Sequence, residues 1–451
     1  MKITLIKPNI GKKGDNLYVD EGRMEPLQLG IIAGLTPSDI DVVMYDDRME
    51  MIPYDEPTDL VAITVETFTA KRAYEIAKEY RSRGVKVLMG GIHVTLIPEE
   101  VEKYCDSIII GDAEPVWHIM VEDLKNNNLQ KRYQGEQPDI PQKNVITRRD
   151  IFEGKGYLPI TLMQFSRGCK YHCNFCASSA YFKSRHFCRN VEDVVLEIKS
   201  QKRKLIFFVD DNIVSDFDKT KELFRALIPL KIRWVSQGSM DMLYDDELMD
   251  LMVKSGCLGL VIGFESICEA NLKEMNKGSN RKQKFTKYQN EIQLLRKWGL
   301  QTWAAFTVGH DSDTIESIQE TCKFAIDNKF CFAAFNILMP YPATPLYTKL
   351  KNENRLLYNG VWWLNDDYRF NYSAITPKNM TADELTEVSF WCRKEFNKPL
   401  SIFKRAFDFK TNMRSLYRFI TYLMYNPLFR KEVYKKQGME FGLKKGEKYD
   451  S

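Results

Sequence analysis

The chain has 451 residues, 44% of them hydrophobic, and its 65 basic against 61 acidic residues leave a formal charge of +4. That length exceeds one ordinary core, so two or three globular domains are expected, and the near-neutral balance argues against a nucleic-acid binder. No stretch approaches the roughly 18 consecutive apolar residues of a membrane span, and residues 2–8 are too short for the apolar core of a signal peptide, so a cytoplasmic location is expected.

Residues 2–8, 41–45, 60–65, 85–89 and 107–110 are short β-branched runs of the kind that form buried parallel strands, and helical periodicity at 27–35 and 71–83 separates them. The alternation predicts a doubly wound, Rossmann-like α/β domain over residues 1–128, with a ligand expected beyond the carboxyl ends of its strands. Two loops there stand out, GGIHVT at 90–95 and GDAEPVW at 111–117. Their glycines permit close backbone approach to a bulky ligand, and Thr64, Thr67, Thr69 and Thr95 can donate to phosphate or amide groups, although paired glycines after a strand equally mark an ordinary turn. Residues 129–157, rich in Asn, Gln, Pro and charge, read as a linker.

An apolar run at 158–165 is expected to be a buried strand, and the segment MQFSRGCKYHCNFCA at 163–177 places Cys169, Cys173 and Cys176 in a CxxxCxxC array. Three thiolates suit an iron–sulfur cubane, which would keep one iron open for an outside ligand. Zinc with His172 as fourth ligand is the alternative, but adjacency to Cys173 strains a shared tetrahedron. The other seven of the ten cysteines lack metal-ligand spacing and read as core filler.

Strand patterns at 205–209, 233–237, 260–264, 301–306 and 333–338 then alternate with helical patterns at 191–199, 219–227, 246–255, 284–297 and 314–328. With the first strand this makes six βα steps, and chemistry is expected at the carboxyl ends of the strands, as in full barrels. Asp210, Asp211, Asn212, Ser236, Gln237, Glu265 and Ser266 follow those ends and can bind a ligand through charge-assisted hydrogen bonds, while Asp211 and Ser266 can equally cap helices. His310 is expected to be a hydrogen-bonded loop residue rather than a proton carrier. Residues 346–451 read as a mainly helical C-terminal domain. Its group of Trp362, Trp363, Tyr368, Phe370 and Tyr372 fits either a cover over substrate or a packed core. Residues 397–451 carry thirteen Lys and Arg against five Asp and Glu, a local +8, and Leu416, Phe419, Ile420 and Leu423 share helical spacing near Arg414 and Arg418. Such a helix either docks on the protein or lies on anionic lipid.

At 163–177 the sequence resembles the radical S-adenosylmethionine enzymes, down to aromatic Phe175 before the last cysteine. The resemblance implies a [4Fe-4S] cluster on Cys169, Cys173 and Cys176, with S-adenosylmethionine on its open iron and cleavage to methionine and a 5′-deoxyadenosyl radical. It also implies a partial (βα)6 TIM-type barrel over residues 158–345, with Phe175, Asp211, Ser236 and above all Glu265 around S-adenosylmethionine. Over nearly the whole chain the order of segments resembles the class with a cobalamin-binding domain ahead of the barrel. By that likeness Thr64, Thr67, Gly90, Gly91, His93, Thr95, Gly111 and Glu114 are expected around cobalamin. The DxHxxG motif is absent, Gly91 standing two positions before His93 where Asp is required, so His93 is expected to touch the cofactor tail rather than to ligate cobalt.

The implied function is methyl transfer from methylcobalamin to an unactivated carbon through the deoxyadenosyl radical. Rearrangement, cyclisation or oxidation with the same cofactors is an alternative, and a non-catalytic cobalamin- or zinc-binding protein is the reading from another class. The implied partners are a small, apolar substrate and an electron donor such as flavodoxin or ferredoxin. No nucleic acid is expected, and peripheral membrane contact stays open.

Overall fold

The computed structural model describes residues 1–13, 16–17, 23–135, 146–281 and 288–443, which form two compact units. The first gathers the described residues of Met1–Leu158, Tyr358–Phe370 and Gly438–Ser451; the second comprises those of Pro159–Leu357 and Asn371–Gln437.

In the first unit six parallel strands lie in the order β2-β1-β3-β4-β5-β6: β1 (Lys2–Lys7), β2 (Asp41–Asp46), β3 (Leu60–Thr64), β4 (Lys86–Gly90), β5 (Ser107–Gly111) and β6 (Arg132–Gly135). Their Val and Ile runs are buried because helices cover parallel sheets. Ile3, Leu5, Leu60 and Ala62 pack with Leu29 and Ala33 of helix Leu27–Leu35 and with Met120 and Val121 of helix Trp117–Lys125. The strand order reverses between β1 and β3, which in doubly wound sheets opens a ligand crevice at the carboxyl ends.

Two boundaries differ from the sequence expectation. The 129–157 linker contributes β6, which pairs with β5 from Ile108↔Arg132 to Gly111↔Gly135, and Phe152 joins the sheet core; residues 136–145 lie outside the described residues. RYQG has none of the β-branched character that marks a strand, and pairing with β5 alone makes it one. The expected 346–451 domain is divided as well. Trp362 and Tyr368 are fully buried in the first unit, where Trp362 meets Phe68 (5.0 Å between ring centroids) and Tyr368 meets Phe441 (5.1 Å). These aromatics, with Phe370 against Phe68, are core; Tyr372 belongs to the second unit.

The second unit is a partial TIM-type barrel of six parallel strands in chain order: β7 (Thr161–Met163), β8 (Leu205–Phe208), β9 (Arg233–Gly238), β10 (Cys257–Glu265), β11 (Gln301–Val308) and β12 (Phe332–Ile337). Helices Val191–Ser200, Phe217–Leu227, Asp246–Lys254 and Ile315–Asp327 lie between strands. Side chains stop three helix starts: Asp216 accepts from Lys219 N, Asp245 from Leu248 N and Thr314 from Ser317 N. The helix expected at 284–297 is seen as Gln289–Trp298; residues 284–287 lie outside the described residues. The first strand is shorter than its apolar run, because the chain leaves the sheet to pair Ser166–Gly168 antiparallel with His186–Cys188.

Candidate cluster and cofactor sites

The three-cysteine loop leaves the carboxyl end of β7 and is pinned along its length by the exits of β8 and β10. Gly168, at φ +79°, has a backbone that an alanine could not copy, since a Cβ would stand 2.1 Å from the Arg185 carbonyl oxygen. Asp210 is fully buried at the exit of β8, where its carboxylate accepts from Phe165 N (3.2 Å), Ser166 N and Ser166 Oγ (2.5 Å). Burial pushes its carboxyl up to about 7, against the opposing pull of these donors. Asp211 accepts from Gly168 N at 2.8 Å and from the Ser178 hydroxyl, so one carboxylate holds both ends of the loop.

Further contacts fix the middle of the loop. Asn174 donates through N to Met275 O (3.1 Å) and through Nδ2 to Glu274 O (2.8 Å), while Asn276 Nδ2 donates to His172 O at 3.1 Å. Asn212 Nδ2 donates to Cys169 Sγ at 3.6 Å and to Ser239 Oγ at 3.0 Å, and the Ser239 hydroxyl donates to Asp241 Oδ1 at 2.5 Å. Asp241 therefore orients the serine, and the serine turns the amide NH2 towards sulfur.

Cys169, Cys173 and Cys176 are free thiols. Burial pushes Cys173 up to about 11; Lys277 opposes the rise, and Cys176, Glu265 and Cys169 add to it. Among the described residues no three His, Cys, Asp or Glu side chains converge on a single ion position. A cubane instead takes its thiolates on separate irons, so three free thiols on one braced loop suit that group. His172, the fourth ligand of the zinc alternative, is exposed. Phe175 packs between two apolar clusters.

Glu265 ends β10 in a left-handed conformation (φ 62°), where the pairing with β11 slips between Gly263 and Glu265. Such an irregularity re-aims a side chain. Its Oε1 accepts from Lys277 Nζ at 2.8 Å and its Oε2 from Thr307 Oγ1 at 2.8 Å. Burial would depress Lys277, but Glu265 and the thiols of Cys173 and Cys176 more than offset this and hold the ammonium charged. A carboxylate that already holds one ammonium here has the chemistry that an amino-acid amino group requires.

Other expected residues have structural partners. Ser236 is fully buried and donates to Phe208 O at 2.8 Å, bracing β9 against β8. Ser266 Oγ accepts from Cys268 N (3.0 Å) and Asn271 Nδ2 (3.1 Å), closing a local turn ahead of helix Glu269–Glu274, whose N-cap is Cys268 rather than Ser266. His310 departs from expectation: it is buried, burial lowers its pKa, and neither ring nitrogen has a hydrogen-bond partner among the described residues. Cys105, Cys257, Cys322, Cys331 and Cys392 are buried, whereas Cys188 and Cys268 are partly exposed. Lys277 carried no signal in the sequence, since a lone lysine after a helix resembles any surface lysine.

In the first unit the candidate residues gather at the carboxyl ends of β3, β4 and β5. Thr64 ends β3, Gly90 ends β4 and Gly111 ends β5. Gly91 has φ +117°, and a Cβ on it would stand 2.7 Å from the Val65 carbonyl oxygen, so the chain passes where no side chain fits. Thr95 Oγ1 donates to Gly91 O (3.2 Å) and accepts from Gly111 N (2.8 Å), tying the two glycine loops together. Glu114 is buried in the turn before helix Trp117–Lys125, and Thr69 closes a capping box with Glu66, whose carboxylate pairs with Lys7 of β1.

His93 lies in helix Ile92–Leu96. It is fully buried, its Nδ1 lies 3.2 Å from Thr67 Oγ1, and its Nε2 lies 3.3 Å from Glu100 Oε1, which also accepts from Trp363 Nε1 at 3.0 Å. With both nitrogens engaged the imidazole braces the loop from beneath, and Thr67 is drawn into the same buried pair.

Comparison with known proteins bears on these sites. The Radical SAM superfamily matches residues 163–325. The chain is 30% identical over 419 residues to a bacteriochlorophyllide d C-12(1)-methyltransferase of Chlorobaculum tepidum, covering 90% of this chain and 89% of that protein. It is 26% identical over 434 residues to an anaerobic magnesium-protoporphyrin IX monomethyl ester cyclase of Rubrivivax gelatinosus, covering 86% of this chain and 76% of that one. Among solved structures, the fold is similar to that of the radical S-adenosylmethionine methyltransferase TsrM from Kitasatospora setae with cobalamin and [4Fe-4S] cluster bound. That match has a TM-score of 0.62 at 17% identity and covers 78% of each chain.

Proposed function

The chain belongs to the radical S-adenosylmethionine superfamily, and on that premise we propose that it is a cobalamin-dependent C-methyltransferase acting at an unactivated carbon of a small, apolar molecule. The observation that carries the reading is a three-thiol loop braced at a barrel strand end, in a chain that aligns over 90% of its length with a methyltransferase.

In this reading Cys169, Cys173 and Cys176 hold the [4Fe-4S] cluster, Glu265 takes the amino group of S-adenosylmethionine, and the loops after β3, β4 and β5 cradle cobalamin. When bound, the cluster and S-adenosylmethionine supply the one-electron cleavage that yields a deoxyadenosyl radical, and cobalamin supplies a methyl carrier. The chain's own residues position and exclude. Asp210 and Asp211 set the loop before iron arrives, and Lys277 places positive charge beside two of the thiols, favouring the thiolate that iron binding requires. Phe264 and Phe306 pack on Phe324 of helix Ile315–Asp327, and Phe208 packs on Trp234, which meets Phe224 of helix Phe217–Leu227, so these rings fasten the strands that carry the site to the surrounding helices. His93, occupied on both nitrogens, would not be free to ligate cobalt.

A small one-electron donor of flavodoxin or ferredoxin type would reduce the cluster. We include peripheral membrane contact in the reading: among the described residues no helix is long and apolar enough to cross a membrane, and the basic C-terminal segment would meet lipid from one side. The cyclase relative favours ring closure as a second reading. Anaerobic turnover of the reconstituted protein with labelled S-adenosylmethionine and candidate apolar substrates separates the two. Deoxyadenosine with a product heavier by one labelled methyl is expected. Deoxyadenosine with an unlabelled, oxidised product would indicate ring closure, and no deoxyadenosine from a cluster-loaded protein would refute radical catalysis.

A further inference from the structure

Two C-terminal helices of the second unit bury one side each, against each other and against the barrel, and expose apolar residues on the sides left free. Pro399–Ala406 buries Ser401, Arg405 and Ala406, and Leu416–Lys436 buries Arg418, Tyr422 and Asn426. The inner faces meet, with the Tyr422 hydroxyl donating to Ile402 O at 2.7 Å and Arg405 Nη2 donating to Asn426 Oδ1 at 3.3 Å. Arg405 also donates to Phe330 O, Cys331 O and Phe396 O, and Arg418 to Gly299 O and Cys257 O, so both helices are fastened to the barrel. Arg418 is thus an internal anchor, and Phe419 packs inward beside Tyr422.

The outer faces are solvent-exposed instead. On the first helix Leu400 is 83% and Phe403 64% exposed, with the Phe407 ring 4.8 Å from that of Phe403. On the second, Leu416 is 74% and Met424 67% exposed, and Ile420 and Leu423 extend the same face. Single exposed apolar residues are ordinary, but two packed helices that both turn apolar stripes outward need a partner surface. Residues 397–437 carry ten Lys and Arg against Asp408 and Glu432; setting aside buried Arg405 and Arg418 leaves eight basic residues against two acidic ones.

We propose that this two-helix face lies on an anionic lipid surface, with Leu400, Phe403 and Leu416 entering the boundary between headgroups and acyl chains and Lys410, Arg430 and Lys431 among the headgroups. Exposed apolar side chains flanked by excess positive charge match what an interfacial helix requires. A second copy fits less well, because two such faces would bring like charges together around their contact. The inference deepens the peripheral contact included above and is independent of the radical chemistry, so either can fail alone.

The test is co-sedimentation of the full-length protein with vesicles of phosphatidylcholine alone or mixed with phosphatidylglycerol, at low and high salt. Binding to the mixed vesicles only, weakened by salt, is the expected result. Phe403→Ser with Leu416→Ser should lower binding by about tenfold or more with unchanged thermal unfolding. Lys410→Glu with Lys431→Glu should remove the preference for anionic vesicles, and this pair keeps the test informative if the serine variant folds poorly. No binding by the unmodified protein to mixed vesicles at low salt would overturn the proposal. So would a dimer that Phe403→Ser with Leu416→Ser converts to monomer, since a second copy would then occupy the face.

Discussion

Asp211 separates two accounts of the cluster loop. As a loop clamp it accepts from Gly168 N at 2.8 Å and from the Ser178 hydroxyl, bracketing all three cysteines; as a ligand contact it would instead serve S-adenosylmethionine. Asp211→Ala removes both bonds. A hydrogen bond to a charged group contributes about 1.5–3 kcal/mol net, and the lower end suits a half-buried carboxylate, so the loop should lose roughly 3 kcal/mol. That corresponds to about a hundredfold increase in local opening. Asp211→Asn retains a carbonyl for Gly168 N–H and should lose only about 1 kcal/mol. Hydrogen exchange of the cluster-free protein reads this directly: peptides spanning 168–178 should lose protection in the alanine variant, keep most of it in the asparagine variant, and remain unchanged elsewhere. Iron bound after reconstitution should fall in the same order. If Asp211→Ala retains protection and iron while its affinity for S-adenosylmethionine drops, the carboxylate is a ligand contact and the clamp is wrong.

Replacing Cys169, Cys173 or Cys176 with Ala should each remove the cluster, read as lost iron and visible absorbance, whereas Cys257→Ala should not; a Cys173 variant with full iron content would refute the ligand set. Asp210, with a folded-state pKa of about 7 against an ordinary 3.8, keeps a proton in the folded chain that the unfolded chain has already lost. Its contribution is therefore fully present below 3.8 and is lost as pH rises to about 7, by at most roughly 4 kcal/mol; Asp210→Asn should flatten this part of the pH dependence of urea unfolding, and an unchanged slope would count against it. Gly91→Ala should destabilise the first unit by about 2 kcal/mol or more, from a left-handed φ and a Cβ 2.7 Å from the Val65 oxygen, and an unchanged melting temperature would contradict that geometry. Asn212→Ala deprives Cys169 Sγ of its donor and should make the cluster harder to reduce, by about tenfold in equilibrium or 59 mV for one electron, in a redox titration followed by electron paramagnetic resonance.

The strand runs, the helix periodicity and the CxxxCxxC array were open to sequence reading because each is a local signal: a buried parallel strand needs a continuous apolar run, and three thiolates within eight residues need little more than a turn. The glycine loops belong to the same class, since φ +117° at Gly91 is a demand on one residue. Contacts across long sequence separation decided the rest. RYQG became a strand because β5 offered an open edge, and Trp362 and Tyr368 became core because Phe68 and Phe441 met them. Polar residues at barrel strand ends such as Asp211 and Ser236 look alike in one dimension; whether such a residue faces solvent, a ligand or a neighbouring strand depends on which donors lie within about 3 Å once the sheet has closed. The same holds for His93 and Arg418. A histidine in a glycine loop and an arginine on an amphipathic helix are surface features by pattern, and only a partner supplied by the fold, Glu100 for one and the Gly299 carbonyl for the other, makes burying them affordable.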